Sequence, residues 1–223
     1  ALQLMVYAEA YQLLGREEHR RVVEGVAAYV LREMTDPEGG FYSAEDADSE
    51  GIEGKYYLWT PAEVLEVLGE RDGREFCEIY DITETGNFEG KSIPNLITTP
   101  PERVKAREHD LAVVRQKLLQ NRSNRIHPHK DDKILTSWNG LMIAALAKAF
   151  RILGNSAYIR AAEKAMNFIL TRLRRADGRL MARYRHGEAA YPAYADDYAF
   201  IVWALLELYE ATFNPDYLRL ALE

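Results

Sequence analysis

Apolar positions along this chain recur at helical spacing, in two different ways. "LMIAALAKAF" (Leu141 to Phe150) is apolar almost all round, as a helix covered on every side must be. The stretch after it is one-faced. Tyr158, Ala162, Ala165, Ile169 and Leu173 form a single stripe, while Arg160, Glu163, Lys164 and Arg172 point the other way, toward water. Between the two, Gly154 suits the left-handed residue that ends a helix, and Asn155 or Ser156 can cap the next one. The pattern predicts a hairpin made of one buried helix and one surface helix.

The same plan occurs more than once. "YQLLGREEHRRVVEGVAAYVLREM" (Tyr11 to Met34) matches "FRILGNSAYIRAAEKAMNFILTRL" (Phe150 to Leu173) at a constant offset, superposing Gly15 on Gly154, Glu24 on Glu163 and Leu31 on Leu170. A third copy starts within "LYEATFNPDYLRLALE", where Tyr217, Arg219 and Ala221 fall in step with Tyr158, Arg160 and Ala162. Repeats of this kind announce the architecture before any single motif does. Alternating buried and surface helices predict an all-α fold, a partial (α/α)6 toroid of about four hairpins with short strands in its long loops. Residues 1–223 then form a fragment of one toroid domain. Pro61 to Tyr80 and Glu108 to Arg122 are expected to fill the second hairpin, with a break near Gly69 and Gly73.

Loop lengths divide the ends of such a ring. The turns within hairpins are short ("LGREE", "LGNS", "FNPD"), whereas Thr35 to Thr60, Ser123 to Thr136 and Ala176 to Ala195 are long. Long loops on a rigid scaffold are where binding and catalysis concentrate. The segment Asp81 to Pro100 departs from this division. It contains "NFEGK", an echo of "GIEGK", and both are expected to turn into short strands.

Composition narrows the partners. The chain has 223 residues, 48% of them hydrophobic, and a formal charge of −7 without a basic run, so nucleic acid finds no electrostatic footprint. No apolar run approaches the length that spans a bilayer, so no membrane partner is expected. Ala1 opens inside a helical pattern, which reads as an excised fragment. The lone Cys77 has no disulfide or CxxC partner, reads as a helix core residue, and fits a reducing, cytoplasmic setting.

The chemistry-bearing residues lie in the long loops. "AEDADSEGIEGK" offers Asp46, Asp48, Glu50 and Gly51 in the register of a calcium loop, but the closing position is Tyr57, which cannot supply the bidentate carboxylate. His127 and His129 have metal-like spacing with Asp131, but Pro128 and the basic setting make a polar loop. Neither a metal nor a cofactor is expected. The second loop carries Asp131, Asp132, Lys133, Trp138 and Asn139, and the third Asp196, Asp197 and Tyr198. One account is capping, in which acids before a helix accept backbone N–H bonds. The other is convergence at one mouth, giving the paired carboxylates that glycoside cleavage needs. On that account Asp46, Asp48, Asp132 and Asp197 are the catalytic candidates. Lys133, Asn139, Tyr198, Trp59 and Trp138 are candidates for holding the substrate, Trp138 being either core or a sugar-stacking face.

"GGFYSAEDADSEGIEGKYYLWT", "GNFEGK", "DDKILTSWNGLMIAALAKA" and "DDYAFIVWALLELYEATF" together resemble the thioredoxin-domain-containing proteins of the spermatogenesis-associated protein 20 family, over almost the whole chain. The resemblance implies a six-hairpin toroid similar to those of glycosidases and sugar epimerases, preceded in the longer protein by a thioredoxin-like domain. That domain becomes an expected partner, beside a carbohydrate or small-molecule ligand. An incomplete ring would leave hairpin flanks open and favour self-association. Two functions follow: carbohydrate processing by acids at the toroid mouth, or a non-catalytic binding and scaffold module.

Overall fold

In a computed structural model describing residues 1–223, the apolar stripes become nine α-helices. In chain order these are α1 (Leu2–Leu14), α2 (Glu17–Glu33), α3 (Pro61–Leu68), α4 (Glu70–Ile79), α5 (Pro101–Arg122), α6 (Thr136–Leu153), α7 (Ser156–Phe168), α8 (Ala195–Thr212) and α9 (Pro215–Leu222). Short strands occupy the loops: β1 (Ala44–Glu45), β2 (Asp48–Ser49), β3 (Ile52–Glu53), β4 (Lys130–Asp131), β5 (Ile134–Leu135), β6 (Met181–Arg185) and β7 (Glu188–Pro192). The chain divides into two compact units, Ala1–Ala44 with Lys130–Glu223, and Glu45–His129.

The first unit is a partial α/α toroid of three hairpins, α1–α2, α6–α7 and α8–α9. Helix α6 lies at its centre, packed against α1, α7 and α8. Its sequence explains why: Ile143, Ala144, Ala145, Leu146, Ala147 and Ala149 are all inaccessible, and small residues let neighbouring backbones approach. Gly140 marks the tightest point, since a Cβ there would lie 2.7 Å from the Phe200 backbone carbon and oxygen of α8. The outer helices bury one face each, α2 through Val23, Ala27 and Val30, and α7 through Tyr158, Ala162, Ala165 and Phe168. A π-helical turn, Ile169–Leu173, extends α7.

The predicted hairpin turns form. Gly15 and Gly154 take left-handed φ values of 63° and 72°, and Asn155 caps α7 by accepting from the Ala157 amide. Phe213 occupies the equivalent position before α9 at φ 56°, and Asn214 caps α9 through the Asp216 amide. At this short-turn end, the Glu207 carboxylate of α8 is nearly buried and accepts from Arg151 Nη2 at 2.6 Å and Trp203 Nε1 at 3.1 Å. Lys148 of α6 stands 3.6 Å from Glu207 and 2.5 Å from Glu9 of α1, and the Glu9 bond helps hold its ammonium above the usual lysine range. One network thus ties the three inner helices together.

The second unit has its own core of Trp59, Val64, Phe76, Ile79, Ile82, Leu111, Val114 and Leu118. Because α1 packs directly on α6, the residues expected in the second hairpin do not separate these two helices. They instead form α3, α4 and α5. The expected break is at Gly69, which ends α3 and starts α4 at φ 80°; α5 starts earlier than expected, with Pro101 in its first turn. "NFEGK" makes the expected turn: Glu89 and Gly90 have φ values of 47° and 76° and Phe88 pairs with Lys91.

Candidate functional site

The long-loop end of the first unit is built around the starts of α6 and α8. Strand β5 leads into α6 and pairs antiparallel with β6, which pairs with β7, in the order β5-β6-β7. Thr136 Oγ1 donates to the Met181 carbonyl at 2.6 Å, and the Leu180 amide donates to Tyr198 Oη at 3.0 Å. The sheet is thereby fixed to the first turns of both helices.

Asp197, a predicted catalytic acid, is 3% exposed and fully committed to the backbone. Its Oδ1 accepts from the Ser137 amide of α6 and its Oδ2 from the Tyr194 amide, each at 2.8 Å. One carboxylate therefore caps its own helix and the neighbouring inner helix. Asn139, expected to touch substrate, is 1% exposed: it accepts from the Phe41 amide at 2.7 Å and donates to the Phe41 and Leu135 carbonyls. No polar atom of its amide is left for a ligand, and its role is to clamp the 34–44 loop to α6.

Asp132 is half-buried and paired with the Arg185 guanidinium of β6. Lys133 pairs with Asp131 at 3.0 Å. Tyr198 is 40% exposed, and its hydroxyl accepts from the Leu180 amide.

Asp46 and Asp48 belong to the second unit and are exposed. Asp46 Oδ1 accepts from the Asp48 amide at 3.2 Å, and Asp48–Ser49 pairs with Ile52–Glu53 across a Glu50-Gly51 turn with φ values of 56° and 74°. That geometry is a tight hairpin of the kind whose two central residues both need positive φ, instead of a helix-flanked calcium loop. Trp59, expected as a sugar face, is 4% exposed and sits in the second unit's core beneath the Arg125 guanidinium, 4.1 Å from its ring centroid. Its environment is a packed one, with no face open to a ligand.

The first unit does contain an open groove. It has a volume of about 480 Å³ and is lined by Trp138, Tyr29, Met34, Phe41, Tyr42 and Met142 among others. Trp138 is 54% exposed although it stands in the first turn of the most buried helix. Tyr42 donates to Asp36 Oδ2 at 2.9 Å. Burial, that bond and the charges of Asp36 and Asp132 push its phenol up to about 12. Sequence reasoning passed over Tyr29, Tyr42 and Met142; the signal available was an aromatic on an outer-helix stripe and another in "GGFYS". Large apolar lining with a few polar groups at the edge is the usual constitution of a small-ligand site.

No family profile matches the chain. Curated relatives do. The chain is 34% identical to human spermatogenesis-associated protein 20 over 98% of its own length and 33% of that protein's. The mouse protein of the same name is 33% identical with the same coverage, and a Caenorhabditis elegans protein, uncharacterized protein B0495.5, is 28% identical over 99% of this chain and 35% of its own length. The chain thus spans about one third of the relatives it matches. Among solved structures, a D-mannose isomerase superposes with a TM-score of 0.39 at 19% identity, covering 97% of this chain and 49% of that one. A GH76 alpha-mannanase from Bacteroides thetaiotaomicron gives 0.39 at 15% identity, covering 98% and 56%. Likeness at this level assigns no residue a role.

Proposed function

From a chain homologous along its length to a segment of the spermatogenesis-associated protein 20 family, we propose a carbohydrate-binding module that holds its ligand in the Trp138 groove and does not hydrolyse it. The observation that carries this reading is the contrast between Trp138 and Asp197. The exposed indole has an open groove in front of it, while Asp197, one of the acids expected to carry hydrolysis, has both oxygens bonded to backbone amides and Asp132, another, is paired with Arg185. Glycoside cleavage needs two carboxyl groups with separate tasks, one donating a proton and one activating water or attacking. A carboxylate that caps two helices is available for neither. Trp138 offers an apolar plane for the C–H face of a sugar ring, and Ser43 and Tyr42, whose hydroxyl is bonded to Asp36, supply polar groups in the same lining.

The test is a titration of the 223-residue chain with mono- and oligosaccharides, followed by Trp138 indole NMR, with reducing-sugar release measured in parallel. Ligand binding should shift the Trp138 signal, and Trp138→Ala should weaken affinity by about tenfold, the worth of roughly 1.5 kcal/mol of aromatic contact. Sugar release that disappears in Asp132→Asn would restore the hydrolytic reading. A Trp138 signal indifferent to every sugar would end the binding one.

A further inference from the structure

We infer that the outer face of the β5-β6-β7 sheet is an oxyanion site, taking a carboxylate or phosphate carried by the sugar; the sugar part of this inference rests on the groove reading above. Strand alternation gives the sheet two distinct faces. Ile134, Tyr184 and Ala189 lie opposite one another and form the inner face, where Tyr184 meets Phe168 edge-on at 5.1 Å. Leu135, Arg183 and Ala190 form the outer face, together with Arg185. Two residues beyond Ala189, Tyr191 should fall on the inner face. Its φ of 63° breaks the alternation, and its ring lies under the Arg183 guanidinium, 5.3 Å from carbon to centroid.

Left-handed backbone at a bulky residue is uncommon, and such strain collects at ligand sites. Here it sets a guanidinium over an aromatic ring that is itself 62% exposed. The neighbouring Arg185 is neutralised by Asp132. Arg183 has no carboxylate partner, and its Nε is buried without an acceptor. A guanidinium without a carboxylate partner offers its terminal nitrogens as half of a charge-assisted fork; a carboxylate or phosphate is the other half. Position agrees. Arg183 pairs with Leu135, three residues before Trp138, so the cation and the exposed indole stand at the same end of α6.

The experiment follows the Arg183 Nε–H and Trp138 indole signals of the 223-residue chain during titrations with inorganic phosphate, glucuronate, glucose 6-phosphate and glucose at low salt. Phosphate and both acidic sugars should move the Arg183 signal. The acidic sugars should bind about tenfold tighter than glucose, an advantage that added salt erodes and Arg183→Gln abolishes. The order of glucuronate and glucose 6-phosphate tells carboxylate from phosphate. Tyr191→Gly should raise stability by relieving the strained φ while lowering anion affinity, a combination that a merely structural Tyr191 would not give. An Arg183 signal unmoved by every anion, or a preference for acidic sugars that survives Arg183→Gln, overturns the oxyanion site. If phosphate moves Arg183 while no sugar moves Trp138, the groove reading falls and the oxyanion site stands.

Discussion

Tyr42 shows how much a single side chain reports. Its phenol is pushed up to about 12 by burial, by the Asp36 hydrogen bond and by the nearby Asp36 and Asp132 charges, from an ordinary value of 10.0. The folded state therefore keeps a proton that the unfolded chain releases. The corresponding stability is complete below about pH 10 and is lost as pH rises toward about 12, a loss shared by Tyr57 and Tyr217, which are raised similarly. Alkaline denaturation followed by tyrosinate absorbance should show this, and Tyr42→Phe should make stability less steeply dependent on pH in that window. An unchanged slope would remove Tyr42 from the account. Trp138 and Trp59 carry the complementary lesson about legibility. Both stand beside turn-rich loops in apolar contexts, yet one is 54% exposed and the other 4%. Which of them is open depends on tertiary neighbours, Arg125 over Trp59 and an open groove before Trp138, that no local pattern encodes.

Between neighbouring elements, the decisive residue is Asp197. The sequence left it divided between cap and catalyst, because an acid at a helix start fits both descriptions. What could not be read was the second helix: the Oδ1 bond to Ser137 joins residues sixty positions apart. Asp197→Ala should cost about 2–3 kcal/mol in urea unfolding, one cap for each of α6 and α8 with two amides left unsatisfied. Asp197→Asn keeps one acceptor oxygen and should lose about half as much. A cost near zero for the alanine variant would mean that these bonds stabilise nothing. The ends of the first two hairpin turns were legible, because Gly15, Gly154 and Asn155 act through local backbone geometry. Phe213 was the exception among the turns, adopting the left-handed conformation without being glycine.

At the scale of the whole molecule, the repeat was the readable part. A constant offset between Tyr11–Met34 and Phe150–Leu173 foretold two matching hairpins, since both must bury the same stripe. It could not foretell that α1 would pack directly on α6, or that 45–129 would gather a core of its own, because those outcomes depend on which surfaces fit each other. The Glu207 network was equally silent in sequence, its members being spread from Glu9 to Glu210. Removing a fully buried ionic partner costs about 3–5 kcal/mol, but Lys148 and Arg151 would keep Glu9 and Glu210, so Glu207→Ala should cost about 2 kcal/mol. Calorimetry of the variant checks this, and a gain in melting temperature would show that the carboxylate's desolvation outweighs its bonds.

The shared cap also gives this protein a clock. While the chain is being synthesised, the amide at position 137 emerges long before the carboxylate that will cover it, so its exchange with solvent deuterium stays fast until the later hairpin has docked. Protection arriving at that one proton would time-stamp the moment two separately made pieces of the arc become one.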